Sequence, residues 1–365
     1  MTRYAQGTRL DYTPFDRRVI LEKVLGRLSW TPPEAVRELA YDLVRGCRTE
    51  QSTRSYAQEL VGYLRWCAGE GVDPLEATED DALAYAAAID RYAQGTQHLK
   101  LLTIRRLFKM AIKRKLVEEN PFEHITFPSR LPETRTPALT KAQIETVLTA
   151  TTSEFDDPVV GLSAMRDYAL ITVLVRLCLR TSEAASLRWG RFSESSGRMR
   201  ISFVGKGRKP AHLDLPDDVW RTLQNWRLAY QRATGQRLGP SDPVFLPVDS
   251  RALLAARSRT GSSPLAPMTR YPVYAIVRSR LGDVGIIGDR FSPHCLRATG
   301  AVLAFRGGAT IVQVQALLRH SSVETTMRYL DALVGGAATE AIDRIRIDAP
   351  VWDEDRTDRR ERGAA

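Results

Sequence analysis

The sequence predicts a mainly α-helical chain with one small antiparallel β-sheet, divided into two domains. Three observations predict this. Apolar residues recur at helical spacing through most of the chain. One stretch, residues 197–216, switches to strand-like alternation around a glycine-rich loop. A proline-rich segment between them and the first helices, residues 127–142 (FPSRLPETRTPALTKA), has little periodicity and reads as a linker. The length of 365 residues fits about two domains.

Taken in order, residues 1–48 form an N-terminal extension, mixed in pattern, with a helix over 34–44 (Val36, Leu39, Ala40, Leu43). Ser52 or Thr53 is an N-cap for a helix whose inner face is Tyr56, Leu60, Tyr63, Leu64 and Cys67, with Gly69 and Gly71 at its end. Thr78 opens the next helix, with Glu79, Asp80 and Asp81 in a first turn that favours negative charge. A third covers about 96–116 and stops before Asn120 and Pro121. These make a helical domain over 49–127, followed by a linker at 128–140.

The second domain spans 141–334. Helices resume at Lys141 and at Arg166. Residues 198–204 (RMRISFV) and 211–215 (AHLDL) read as strands, joined by the hairpin loop 205–210 (GKGRKP). Helices return from Pro216. Residues 250–267, rich in Arg, Ser, Gly and Pro, read as an exposed loop or insertion, and 335–365 as a C-terminal segment with a mobile tail.

Composition narrows the function. Lys plus Arg is 53 against 43 for Asp plus Glu, a formal charge of +10, which favours a polyanionic partner. Hydrophobic residues at 43% exclude a disordered chain. The longest apolar stretch, 168–179, is interrupted by Arg176, so no membrane span and no membrane partner is expected. Residues 1–12 lack a signal-peptide core. The cysteines, at 47, 67, 178 and 295, are too scattered for a metal pair, and reduced cytoplasmic thiols are expected. The Arg- and Ala-rich composition is associated with a GC-rich bacterial or phage genome.

Seven basic residues and no acid lie between Gly95 and Val117. Arg105, Lys109 and Lys113 share one helix face, with Arg106 beside them. Ile104, Leu107, Phe108, Ala111 and Ile112 line the other. Such a face is either solvated or a phosphate-contacting surface. The absence of interspersed acids favours the second, with double-stranded DNA as the partner.

The candidate chemistry lies in the second domain. Arg180 sits between two helices, ahead of Thr181 or Ser182 as a cap and of Glu183, with which it can pair. Lys206 lies in the hairpin loop. His294 and Arg297 are one helical turn apart behind Pro293. His320 and Tyr329 follow in residues 318–331 (LRHSSVETTMRYLD). Each piece alone has an ordinary structural explanation. Together they suit phosphoryl transfer without metal. Guanidiniums bind phosphate oxygens, a tyrosine hydroxyl attacks, and a lysine protonates the leaving alkoxide. No acidic cluster suited to two magnesium ions is visible, and no cofactor is expected.

In type, order and spacing, this set resembles the tyrosine recombinase, or phage integrase, family. Arg297 is three positions after His294, His320 is 23 after Arg297, and Tyr329 is nine after His320. The resemblance implies that 49–127 is a core-DNA-binding domain and 141–334 a catalytic domain. It implies Tyr329 as nucleophile, Arg180 and Arg297 as phosphate ligands, and Lys206 as the acid. It implies His294 as a proton acceptor at the nucleophile, His320 as a phosphate ligand, and Glu183 as the residue that orients Arg180. The sequence departs from the family at Cys178 and Arg319, where glycine is usual, which puts local loop geometry in question. The implied activity is site-specific recombination, integration, excision or resolution, through a 3′-phosphotyrosine. The alternatives are a catalytically silent DNA-binding protein of the same fold and a type IB topoisomerase. The implied assembly is a homo-tetramer on two DNA sites, with accessory DNA-bending or directionality proteins, in a bacterial nucleoid. Residues 338–347, with Ile342 and Ile345 as anchors, are a candidate segment for docking on a neighbouring subunit.

Overall fold

A computed structural model describes residues 15–127, 136–152, 157–204, 210–259 and 265–334. Lys206, most of the linker, and the C-terminal segment from 335 lie outside the described residues. The chain divides into two compact units, Met1–Thr134 and Arg135–Ala365.

Among the described residues, the first unit contains five helices: α1 (Arg17–Leu25), α2 (Glu34–Arg45), α3 (Glu50–Glu70), α4 (Glu79–Ala88) and α5 (Gln94–Lys113). The helix α1 is not apparent from hydrophobic spacing alone. Its start is written in Asp16, whose carboxylate accepts from the backbone N–H groups of Arg18 and Val19. The cap of α3 is Thr49 rather than Ser52 or Thr53, with Ser52 donating its N–H to the Thr49 hydroxyl. Gly71, at φ 71°, closes α3 in the left-handed conformation that glycine adopts without cost. Thr78 and Asp81 complete a capping box on α4.

The two helices within the segment read as an N-terminal extension share this unit's core. Leu21, Val24, Leu39 and Val44 are buried in one cluster with Leu60, Leu64, Ile104 and Leu107. At its centre Tyr63 meets Tyr85 and Phe122 edge to face, at 5.3 Å and 5.8 Å, and donates its hydroxyl to the carbonyl of Pro74.

The second unit contains α6 (Lys141–Ala150), α7 (Pro158–Arg176), α8 (Thr181–Ala185), β1 (Phe192–Ser195), β2 (Arg198–Val204), β3 (Pro210–Asp214), α9 (Asp217–Thr234), α10 (Ser250–Arg257), α11 (Arg270–Gly282), α12 (Pro293–Arg306), α13 (Ile311–Leu318) and α14 (Val323–Val334). The sheet is antiparallel in the order β1-β2-β3. The strand β1 escapes a periodicity search because FSES is short and polar. It is set by a two-residue turn in which Ser196 (φ 52°) and Gly197 (φ 73°) are both left-handed, a turn that matches the twist of a hairpin.

Two further elements differ from expectation. The helix α7 begins at Pro158, eight residues before Arg166, because Asp157 caps it and proline fits the first turn. Residues 250–257 are helical, not loop. Asp249 caps α10, and Leu253 and Ala256 bury against the core.

The helix α7 organises this unit, contacting α6, α8, α9, α11 and α12. It is long and apolar enough to cross a membrane by length and composition, contrary to the expectation from sequence. The burial of residues such as Leu170, Val173 and Leu174 in the main core accounts for that composition. A smaller cluster of Cys178, Ala301, Val302, Val314, Leu318 and Leu330 joins α12, α13 and α14.

Gly300 permits the closest approach. A Cβ there would lie 2.0 Å from the Val175 carbonyl oxygen and 2.6 Å from Cys178 Sγ. Since neither backbone can yield cheaply, Gly300→Ala should destabilise the chain by about 3 kcal/mol, read as a lower urea midpoint. An unchanged midpoint would contradict this packing.

Candidate active site

The turn from α7 to α8 places Arg180. Neither Thr181 nor Ser182 caps α8. Arg180 occupies the cap position, and its backbone N–H donates to Glu183 Oε2 at 2.8 Å while its Nη1 donates to Oε1 at 2.8 Å. The pairing expected of these two residues is therefore present. It leaves the Arg180 side chain 43% exposed.

The helix α12 presents His294 and Arg297 from its first turns, behind Pro293. Arg297 is 1% exposed. It donates to the carbonyl oxygens of Cys178 and Leu318, and its Nη2 lies 3.2 Å from His320 Nε2. Its Nη1 is 4.0 Å from Glu183. Burial, with Arg180 and Arg319 adding like charge, pulls its pKa down to about 10, so it stays cationic at neutral pH.

Those two carbonyls are aimed by strained backbone. Cys178 (φ 47°) and Arg319 (φ 54°) are both left-handed. These are the two positions where the sequence lacks the glycine usual in the family it resembles. The glycine conformation is kept, at a cost of about 1–2 kcal/mol each.

His320 follows immediately. Its Nδ1 lies 3.1 Å from the Thr326 hydroxyl. Because arginine has no acceptor, Nε2 must accept from Arg297, so the proton of the neutral ring sits on Nδ1 and is donated to Thr326. Burial first, and then the charges of Arg297, Arg180 and Arg319, push the His320 pKa down to about 4. The helix α14 carries Tyr329, whose hydroxyl is 2.8 Å from His294 Nε2 and whose ring stacks on His320 at 5.6 Å. Burial raises the Tyr329 pKa, opposed by Arg297 and Arg180. The phenol is protonated at neutral pH, with an imidazole within reach.

Arg180, Glu183, His294, Arg297, His320 and Tyr329 are thus brought together by α8, α12, the α13–α14 turn and α14. Lys206 lies outside the described residues, in the segment that joins β2 to β3. Arg319 was not singled out from sequence as a functional residue. Its signal was the departure from glycine.

The basic face of α5 is less free than the helix's own composition implies. Arg105 donates to the carbonyls of Phe122 and Ile125 and lies over the Phe127 ring. Arg106 donates to the Tyr56 hydroxyl, Lys109 pairs with Glu123 at 3.1 Å, and Lys100 with Glu59 at 2.7 Å. Acids missing from α5 are supplied by neighbouring segments. Lys113 is exposed at its end. Among the described residues no group of three or more His, Cys, Asp or Glu could hold a metal ion.

The mainly helical second unit thus gathers arginines and histidines around one tyrosine. Comparison bears on this directly. The phage integrase family matches residues 137–334. The tyrosine recombinase XerD of Proteus mirabilis is 27% identical over 330 residues, covering 90% of this chain and 93% of that protein. XerD of Xanthomonas axonopodis pv. citri is 29% identical over 282 residues, covering 76% and 86%. The crystal structure of the XerH site-specific recombinase bound to its difH substrate has a TM-score of 0.58 at 16% identity, covering 94% of both chains. A lambda integrase tetramer bound to a Holliday junction also scores 0.58, at 14% identity, covering 81% of this chain and 76% of that one. The chain belongs to the phage integrase family, the tyrosine recombinases of site-specific recombination.

The half-buried, neutral His320 has a consequence for stability. Its pKa is depressed on folding, so between about pH 6.5 and 4 the unfolded chain binds more protons than the folded one. Its contribution is complete above pH 6.5 and is lost as the pH falls towards 4. The His320→Gln variant should therefore lose less stability than the parent across that window in thermal melts. Parallel curves would show that the histidine is not held neutral.

Proposed function

We propose that the chain recombines specific double-stranded DNA sites by cleaving and rejoining strands through a 3′-phosphotyrosine at Tyr329, without metal or cofactor. One observation carries this reading. The Tyr329 hydroxyl stands 2.8 Å from His294 Nε2, in a cluster that also contains Arg180, Arg297 and His320.

In this reading Tyr329 attacks the scissile phosphorus and His294 takes the phenol proton as the bond forms. A phenol with a raised pKa is a poor nucleophile until that transfer occurs, so proximity to His294 is the decisive geometry. The exposed Arg180 meets the phosphate oxygens first. Arg297 lies sealed within the cluster and helps through its charge. It makes direct contact only if its bonds to the Cys178 and Leu318 carbonyls and to His320 loosen. Thr326 can donate as well as accept, so His320 can move its proton from Nδ1 to Nε2 and offer an N–H to a phosphate oxygen once Arg297 turns to the phosphate. Lys206 protonates the 5′-oxygen as it leaves. The tyrosyl phosphodiester keeps the bond energy, so a 5′-hydroxyl from another strand can reverse the reaction.

Four such sites are needed to exchange two duplexes. A homo-tetramer on two DNA sites is the assembly proposed, with residues 338–347 docking on a neighbour and accessory DNA-bending or directionality proteins selecting the outcome. In the helical unit, the exposed Lys113 and the basic groups of Arg105, Arg106 and Lys109 are proposed to add phosphate contacts, which makes affinity sensitive to salt.

Nicked suicide duplexes made from the flanks of the gene, incubated without metal and run on denaturing gels, test the reading. A covalent adduct should form with the parent and vanish with Tyr329→Phe. Arg180→Ala should still bind but cleave by about 10² to 10³ more slowly, as expected for loss of a donor to developing charge. Salt-sensitive binding without any adduct would leave only a DNA-binding protein.

Lys206→Ala should also be slow on ordinary DNA, and recover on a substrate whose leaving group is a 5′-thiol, which needs no proton donor. Failure to recover would remove Lys206 from the acid's role.

A further inference from the structure

Arg319 occupies a backbone conformation that disfavours any side chain, at the end of α13 and next to His320. Its side chain turns inward and is 8% exposed. Its Nη1 donates to the carbonyls of Leu317 at 2.8 Å and Leu177 at 3.3 Å. Its Nη2 donates to the carbonyl of Cys178 at 3.0 Å and to Glu183 Oε2 at 2.7 Å. The guanidinium also lies 4.8 Å from the centre of the Phe203 ring on β2. That ring is three residues before Lys206 in the chain.

The Glu183 carboxylate is fully used. Oε1 accepts from the Arg180 side chain, and Oε2 from the Arg180 N–H and from Arg319. An ion pair between a half-exposed arginine and a carboxylate held by nothing else is weak, because two side chains must be ordered for one contact. Here one partner is already fixed. Arg319 holds Glu183 from the buried side, and Glu183 holds Arg180 from beneath. The same arginine ties the Leu177–Cys178 turn to the turn carrying His320, so the two rims of the phosphate site are joined through one guanidinium.

Building on the recombinase reading, we propose that Arg319 is a positioning residue for the cleavage reaction. It clamps the Glu183 carboxylate, and so fixes the Arg180 guanidinium where the scissile phosphate binds. It does not touch DNA itself, because its side chain is buried and its Nη groups are spent on protein oxygens.

The test is single-turnover cleavage of a nicked suicide duplex at saturating enzyme, with DNA affinity and melting temperature measured alongside. Variants are R319G, E183Q and their combination. R319G relieves the left-handed backbone strain but gives up the contacts of the buried guanidinium, so the two effects offset and its melting temperature should stay within a few degrees of the parent's. It should bind DNA within about twofold and cleave about tenfold or more slowly, the range found when a group that orients an active-site residue is lost. The double variant should be no slower than the slower single, because both substitutions break one chain of contacts.

R319K and R319M keep the stem and differ in charge. Lysine should restore part of the rate and methionine should not, and this pair decides the matter if R319G melts early. Parent-like cleavage by R319G, equal rates for R319K and R319M, or effects of R319G and E183Q that multiply would each overturn the proposal. A parent enzyme that forms no adduct would instead overturn the recombinase reading on which it rests.

Discussion

Three guanidiniums converge on one carboxylate. Arg180 and Arg319 bond to Glu183 directly, and Arg297 lies 4.0 Å from it. Burying an arginine as deeply as Arg297 is unfavourable unless nearby groups replace water, and stranding such a charge costs about 3–5 kcal/mol. Glu183 supplies the countercharge. Burial alone would raise its pKa, but Arg319, the Arg180 N–H and the Arg180 charge outweigh that and hold it below the ordinary carboxylate range. The remaining compensation comes from carbonyls at the ends of α7 and α13, where helix dipoles leave partial negative charge. The left-handed residues Cys178 and Arg319 turn the chain so that those carbonyls face inward. Backbone strain at two points is thus the means by which a cationic cluster is kept together.

One carboxylate against three guanidiniums leaves the cluster positive, as an anion site must be. The same field determines the state of its neighbours. It helps keep His320 neutral and works against the effect of burial on Tyr329. Tyr329 is therefore held as a phenol beside the His294 imidazole rather than as a phenolate. In the recombinase reading proposed above, this ties ionisation of the phenol to the moment of attack.

Much of this was legible in the sequence. His294 and Arg297 one turn apart behind Pro293, and Tyr329 nine residues after His320, are local patterns, and helical geometry converts them directly into a shared site. The helices with strong caps or clear apolar stripes, such as α2 and α4, were equally plain. What was not legible depends on distance in the chain. The short strand β1 is fixed by a turn and by pairing to β2, not by its own alternation. The helix α10 looked like loop because it opens a longer Arg-, Ser-, Gly- and Pro-rich stretch, and two buried residues within it decide its conformation. The basic face of α5 is partly neutralised by Glu59 and Glu123, which approach only in the fold. Arg319 could be seen as an irregularity but not as a contact with Glu183, 136 residues away.

The small cluster that joins α12 to α13 and α14 has a different implication. The main core is built around α7, whereas among the described residues Leu330 of the helix bearing Tyr329 packs in the satellite cluster. Arg180 lies at the start of α8 just after α7 and Arg297 lies on α12, and α7 and α12 approach closely at Gly300. In the proposed reading, the phosphate cradle and the tyrosine arm therefore rest on different apolar clusters. In such an arrangement the cost of releasing the tyrosine arm is a setting separate from the chemistry, open to adjustment by whatever packs against that arm without any change to the residues that hold the phosphate.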